Sequence, residues 1–161
     1  MKTLKRCASP VGYYGAAVEM YLMSPSCHSY GTIQHEFLHA LGFWHEHTRP
    51  DRDQNIDIIW DKILPGREVN FFARSPEEVQ YEALPYDYKS VMHYRSAAFS
   101  KDGYPTIVPH DESAVIGQRV RYSRGDLAKL NRLYECGAEY YTGNDLPAAK
   151  ETPAGLRAKN T

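Results

Sequence analysis

The chain has 161 residues, of which 42% are hydrophobic, and a formal net charge of −1. This length suits one domain with a substantial core and is short for two. The near-neutral charge, with Lys and Arg dispersed along the chain, argues against a nucleic-acid partner, and no apolar run approaches the ~18 residues of a membrane span.

The first predicted element is a strand. Residues 12–23 are rich in Tyr, Val and Met with partial alternation, and the stretch ends at Ser24 and Pro25. Such a pattern predicts a strand followed by a turn.

A helix is predicted next, from Thr32 to Leu41. Its apolar residues recur at helical spacing: Ile33, Phe37, Ala40 and Leu41. Thr32 can cap the first turn, and Gly42 can end the helix in the left-handed conformation.

The middle of the chain, residues 48–122, contains too many prolines and glycines for long regular elements, so short pieces joined by ordered loops are expected. A second helix is predicted after Ser123, with Asp126 in its first turn, ending near Cys136. Its apolar face is formed by Leu127, Leu130, Leu133 and Tyr134. Residues 138–161 are expected to form a flexible tail, because they have few large apolar side chains.

The strongest motif lies in the first helix, at His35-Glu36-Phe37-Leu38-His39. This spacing puts two imidazoles one helical turn apart on a single face, where both can bind one metal ion. Glu36 then lies beside the metal, where it can take a proton from a zinc-bound water.

The motif continues to His45 as HEFLHALGFWH, which fits the longer pattern HExxHxxGxxH. His45 cannot reach the same ion from a continuing helix, so the chain must turn at Gly42. Three imidazoles leave a coordination position open, which is typical of a catalytic zinc site.

A second feature lies downstream at Ser90-Val91-Met92-His93-Tyr94. It fits the Met-turn that accompanies the long zinc motif. Met92 would provide an apolar, polarizable floor beneath the three imidazoles.

These residues resemble the astacin family of zinc endopeptidases. The resemblance is carried by HEFLHALGFWHEHTRPDRD, PYDYKSVMHY, AFSKDGYPTIVP and IGQR, and it covers about residues 7–136. It implies a metzincin-like α+β fold with an active-site helix, a mostly irregular C-terminal subdomain and a C-terminal helix. Only the last strand or strands of the N-terminal mixed sheet would be present, in a partial peptidase domain over residues 1–137.

The resemblance also implies the roles of the site residues. One zinc ion would be bound by His35, His39 and His45, with Glu36 as the base and Tyr94 as a residue that stabilises the oxyanion. The substrate, a protein or peptide, would bind as an extended strand along Ala17–Met23. His47 falls outside the zinc spacing and is not expected to be a ligand.

Further implications concern the cysteines and the acidic residues. Cys7 and Cys27 match a family disulfide, whereas the partner of Cys136 would lie upstream of Met1, and this usage implies a secreted protein. Glu46 corresponds to a family residue that contacts the N-terminus formed when a propeptide is removed; the alternative is that Glu46 is a solvated carboxylate. Asp51, Arg52 and Asp53 are predicted to form an internal ion-pair brace that stabilises the loop, rather than to recognise the substrate.

The remaining expectations concern how much of the family domain the chain contains and what the chain does. The first ten residues lack the apolar segment of a secretory signal, and the family domain normally begins some tens of residues before Cys7, so the N-terminal subdomain is expected to be largely missing. The leading hypothesis is a zinc endopeptidase. The alternatives are a non-catalytic zinc-binding or peptide-binding module and, more weakly, a structural zinc protein.

Overall fold

The computed structural model describes residues 6–23, 25–79 and 84–147. In chain order the regular elements are β1 (Cys7–Ala8), β2 (Tyr21–Leu22), α1 (Tyr30–Ala40), β3 (Ile56–Ile58), β4 (Ile107–Pro109) and α2 (Arg124–Leu133). Four turns of 3-10 helix lie between β2 and β4: Glu46–Thr48, Arg52–Gln54, Trp60–Lys62 and Glu68–Phe71. Neither α-helix of the described residues has the length and apolar content needed to cross a bilayer.

The predicted strand over residues 12–23 is wrong for most of its length. Only Tyr21–Leu22 is a strand, and it pairs antiparallel with Cys7–Ala8. Gly12 and Gly15 have φ angles of 81° and 82°, in the left-handed region, so they turn a stretch whose composition favours extension. The expected disulfide is present between Cys7 and Cys27 and ties this hairpin to the segment before α1.

Helix α1 begins earlier than the sequence indicated. Its cap is Ser29, whose Oγ accepts a hydrogen bond from the Thr32 backbone N–H at 3.2 Å, so the helix starts at Tyr30. At the other end the Gly42 N–H donates to His39 O and the Phe43 N–H donates to Leu38 O, both at 2.9 Å. This is a Schellman motif with Gly42 at φ 97°, as expected for a glycine terminator.

The middle of the chain folds as short elements and ordered loops, as expected. Strand β3 pairs antiparallel with β4 in the register Ile56↔Pro109, Asp57↔Val108, Ile58↔Ile107. A core cluster lies around this pair and consists of buried apolar residues: Ile56, Ile63, Phe71, Ala98, Ile107 and Ile116. Phe71 has no exposed surface, and full burial of such a side chain stabilises the fold by about 1.5–3 kcal/mol.

Helix α2 packs against the part of the structure that contains the zinc motif. Its N-terminus is a capping box, in which Ser123 Oγ accepts from the Asp126 N–H and Asp126 Oδ2 accepts from the Ser123 N–H, each at 2.9 Å. Leu130 and Leu133 pack against a second cluster, formed by Leu38, Phe43, Val91 and Met92. The predicted helix is therefore present, although it ends at Leu133, and Leu127 and Tyr134 are exposed.

The segment after α2 packs against the helix as far as it is described. Asn131 Nδ2 donates to Tyr141 O at 2.8 Å, and Arg132 Nε donates to Thr142 O at 2.6 Å. Residues 148–161, the greater part of the predicted tail, lie outside the described residues. The domain boundary after residue 137 and the flexibility of the tail stay predictions.

Candidate active site

Helix α1 presents His35 and His39 on one buried face. His35 Nδ1 donates to Val91 O and His39 Nδ1 donates to Phe43 O, both at 2.8 Å. Because a carbonyl can only accept, each ring carries its proton on Nδ1 and leaves the lone pair of Nε2 available to a metal. Such bonds orient histidine ligands in metal sites and raise their basicity.

The turn at Gly42 returns the chain so that His45 joins this pair. The Nε2 atoms of His39 and His45 are 3.1 Å apart, and one nitrogen of each of the three histidines lies within 4.8 Å of the others. Two nitrogen ligands on a tetrahedral zinc ion, each at about 2.0–2.1 Å, lie about 3.3 Å apart. The donor set therefore fits zinc in both chemistry and spacing.

Burial keeps these imidazoles neutral. Desolvation lowers the pKa of His35 to about 3 and that of His39 to about 4, and it lowers the pKa of His45 well below its ordinary value. Neighbouring histidines and the positive charge of Arg119 act in the same direction on His35 and His45. All three rings are therefore uncharged at neutral pH, and a neutral imidazole is the form that binds a metal.

Glu36 lies between His35 and His39 in sequence and is 5% exposed. Its Oε2 atom is buried without a hydrogen-bond partner among the described residues. Burial raises the pKa of this carboxyl, and the nearby positive charge of Arg119 acts in the opposite direction. A buried, unsatisfied carboxylate oxygen beside a metal-binding cluster is suited to accept a proton from a reacting group.

The predicted Met-turn segment lies beside the histidine cluster. Met92 is 2% exposed and packs in the apolar cluster that also contains Leu38, which precedes His39, and Phe43. The ring of Tyr94 lies 4.4 Å from that of His45, between ring centroids. Burial raises the pKa of Tyr94 to about 12, so its hydroxyl is protonated, and a hydrogen-bond donor, at neutral pH.

Two further histidines lie near the site without joining the metal-binding set. His47 Nε2 donates to Asn70 O at 2.9 Å, and its ring stacks on Tyr94 with centroids 4.0 Å apart. His93 Nδ1 donates to Tyr94 O at 2.7 Å, so its Nε2 accepts from the Tyr86 hydroxyl at 2.6 Å. Both rings hold the segment that carries Tyr94.

Glu46 is not a solvated carboxylate, and that interpretation of the sequence is wrong. The side chain is almost fully buried and binds Lys129 Nζ at 2.6 Å and Arg49 NH1 at 3.2 Å. Burial alone would raise the pKa of Glu46, but the two positive charges outweigh it and the pKa is lowered. Contact with a new N-terminus stays a prediction.

The ion-pair brace predicted within Asp51-Arg52-Asp53 is present in part. Arg52 pairs with Asp53, whereas Asp51 accepts from Arg49, at 2.6 Å from NH2 to Oδ2. Arg52 also donates to Phe71 O at 2.6 Å. The brace therefore joins the loop after His45 to the core.

Sequence reasoning assigned no role to Arg119 or Lys129. Arg119 NH1 donates to His93 O at 3.0 Å, and its charge acts on Glu36 and Tyr94. Arg119 belongs to the IGQR segment, which contributed to the family resemblance but was given no function. Lys129 gave no signal, because nothing in sequence marks a helical lysine as buried.

Comparisons with known proteins agree on one family. A family profile described as Astacin, a peptidase family, matches residues 1–135. Zinc metalloproteinase nas-14 of Caenorhabditis elegans is 47% identical over 131 residues, and meprin A subunit beta of Homo sapiens is 48% identical over 134 residues. The matches cover 81% and 82% of this chain but 26% and 19% of those relatives, so the chain spans about a quarter or less of their length.

A solved structure shares the fold. High choriolytic enzyme 1, a hatching enzyme zinc-protease from Oryzias latipes (medaka fish), superposes with a TM-score of 0.78 and 39% sequence identity. The match covers 84% of this chain and 67% of that chain. The expected α+β, metzincin-like fold is therefore confirmed.

Proposed function

This chain belongs to the astacin family of peptidases, and on that premise we propose that it is a zinc-dependent endopeptidase that hydrolyses peptide bonds of proteins. The observation that carries the proposal is the convergence of three neutral imidazoles beside the unsatisfied Oε2 of Glu36. Mere metal storage would not require a buried carboxylate at that position.

One zinc ion would be held by His35, His39 and His45. When bound, zinc supplies a Lewis acid that polarises a carbonyl and makes a water molecule acidic near neutral pH. The Nδ1 bonds of His35 and His39 to backbone carbonyls fix the rings in the orientation that this requires.

Glu36 would be the general base and then the general acid. Its raised pKa brings the carboxylate closer to operating pH, so it can accept a proton from the attacking water and pass it to the departing amine. Burial around Glu36 limits competing solvent, which strengthens each electrostatic interaction inside the site.

Tyr94 would assist by donating a hydrogen bond to the oxyanion. With its pKa at about 12, the phenol donates without losing its proton. A donor aimed at developing negative charge lowers the barrier of acyl transfer. The ring stacking between Tyr94 and His47 limits where this hydroxyl can lie.

The substrate would bind as an extended strand along residues 17–23. Within the described residues β2 pairs with β1 in a two-stranded sheet, so one edge of β2 has no strand partner. Main-chain pairing along such an edge gives affinity with little sequence preference. The disulfide between Cys7 and Cys27 supports a secreted protein, since disulfides persist in oxidising compartments.

The test compares the zinc-loaded wild type with Glu36→Gln on a denatured protein substrate. We expect the wild type to produce internal fragments and the variant to lose turnover while it keeps its zinc, because the carboxylate acts on the proton rather than on the metal. Glu112→Gln, which changes an exposed acid, is the matched control and should stay active. Equal activity in Glu36→Gln, or a wild type that binds zinc and cleaves nothing, would contradict the proposal; the second result would favour the non-catalytic module.

A further inference from the structure

Helix α2 carries two charged side chains into the interior on one face. Asp126 is 3% exposed and Lys129 is 2% exposed, and the two are three residues apart. Lysine is almost never fully buried unless it is paired. The face of α2 that they share is turned toward the segments that carry the zinc motif and the Met-turn.

Asp126 connects α2 to the first ligand. Its carboxylate accepts hydrogen bonds from Ser90 Oγ at 2.6 Å and from the Val91 N–H at 2.9 Å. Val91 O in turn accepts from His35 Nδ1. Two hydrogen bonds therefore separate the helix from a metal-binding ring.

Lys129 connects α2 to the third ligand. Its Nζ donates to Glu46 Oε2 at 2.6 Å, across 83 residues of sequence. Glu46 follows His45 directly, and its backbone N–H donates to Met92 O at 3.2 Å. Its other carboxylate oxygen accepts from the Asp87 N–H at 2.9 Å.

The carboxylate of Glu46 thus joins three segments: the turn after His45, the segment that leads into the Met-turn, and α2. If Lys129 were removed, Oε2 of Glu46 would lose a charge-assisted bond in a site that water does not reach. The side chain would reorient toward its remaining partners, and the turn carrying His45 would move with it.

We propose that Lys129 is a positioning residue for the metal site. Through its ion pair with Glu46, Lys129 fixes the position of His45 relative to the Met-turn. The inference rests on the proposed function only in taking the three histidines as zinc ligands. A buried ion pair adds little to stability compared with a well-packed apolar pair. The benefit of this pair therefore lies in fixing geometry next to a ligand.

The experiment measures zinc affinity by chelator competition and the Co²⁺ absorption spectrum, which reports ligand geometry, alongside kcat and KM. Lys129→Met removes the charge, and Lys129→Arg tests rescue by a conservative change. Lys62→Met is the matched control, because Lys62 forms a half-exposed ion pair with Asp102 away from the site. Glu46→Gln with Lys129→Met removes both charges and leaves no unpaired Glu46 carboxylate.

We expect Lys129→Met to raise the zinc dissociation constant by about 10-fold or more, the range seen when groups that orient ligands are lost, and to alter the Co²⁺ spectrum. A fall in kcat at unchanged KM should accompany this, Lys129→Arg should restore most of the affinity, and Lys62→Met should match the wild type. If Lys129→Met does not fold, the double variant replaces it, with the same expectations.

The proposal is overturned if the folded variant binds zinc with wild-type affinity and spectrum, or if Lys62→Met weakens binding equally. Failure of both Lys129→Met and the double variant to fold also overturns it, because the pair would then be a requirement of the fold. A wild type that cleaves nothing, with zinc affinity shifted as expected in Lys129→Met, contradicts the proposed function and leaves this inference standing.

Discussion

Tyr94→Phe is the substitution that isolates one step of the proposed reaction. It removes a single hydroxyl and keeps the ring, which is held by His47 at 4.0 Å and His45 at 4.4 Å between centroids. The packing of the site is therefore preserved, and the change falls on the hydrogen bond that the hydroxyl would donate to the oxyanion.

The size of the effect follows from the protonation state. With a pKa of about 12 the phenol is a donor throughout the working pH range, so the wild type has the full benefit of this bond. Loss of one oxyanion donor lowers kcat by about 10²–10³-fold, or about 2.7–4 kcal/mol of transition-state stabilisation. Because the bond forms only as charge develops, KM should change little.

Steady-state cleavage of a fluorogenic peptide by the zinc-loaded protein measures both constants. Tyr88→Phe is the control, since its hydroxyl donates to Asn55 O at 2.6 Å in the core region and not at the site. A Tyr94→Phe protein whose kcat stays within about three-fold of the wild type would refute the role given to the hydroxyl. A rise in KM at constant kcat would make it a substrate-binding group instead.

Three further outcomes are expected. Replacing Cys7 and Cys27 with Ser should lower the free energy of unfolding by about 3 kcal/mol, because the bridge closes a 20-residue separation; an unchanged urea midpoint would contradict this. Burial lowers the pKa of His93 in the folded state, so as pH falls below about 6.5 the unfolded state binds a proton that the folded state does not, and stability is lost. His93→Gln should therefore reduce the slope of the unfolding free energy against pH by up to about 1.4 kcal/mol per pH unit. Equal slopes in the variant and the wild type would refute this. Gly31→Ala should destabilise the fold by about 1–3 kcal/mol or more in urea unfolding, since its Cβ would lie 2.1 Å from the Arg119 carbonyl carbon, and wild-type stability would disprove the close approach.

The zinc motif was predictable because its information is local. The spacing of His35 and His39 on a helix, and the glycine that ends it, are read from the eight consecutive residues from His35 to Gly42. In the structure α1 ends at Ala40, one residue before the predicted end at Leu41, and Ser29 rather than Thr32 is the N-cap. Both residues are good caps, so sequence does not distinguish them.

The prediction of a strand over residues 12–23 was wrong for most of its length, for a different reason. Its composition favours extension, but Gly12 and Gly15 adopt left-handed conformations that break it, and Gly12 also makes contacts far from it in sequence. One such contact is the Gly12 N–H, which donates to His39 O at 2.9 Å. Strand preference is set by context, whereas helix periodicity is set within the element.

The surroundings of the site were the least predictable part. Glu46 and Lys129 are 83 residues apart, and Arg119 reaches the site from a loop. Each of these residues is polar and would be assigned to the surface from sequence alone. Only the fold shows that the charges of Glu46 and Lys129 are buried together and that the charge of Arg119 lies near Glu36.

Titration of the zinc-free protein with zinc, followed by peptide cleavage, tests whether one zinc ion at the three histidines supports catalysis. We expect no activity without metal, a linear rise with added zinc, and a plateau at about one equivalent per chain, since the three histidines form one site. Cleavage by the metal-free protein, or a plateau that requires a second equivalent, would contradict it.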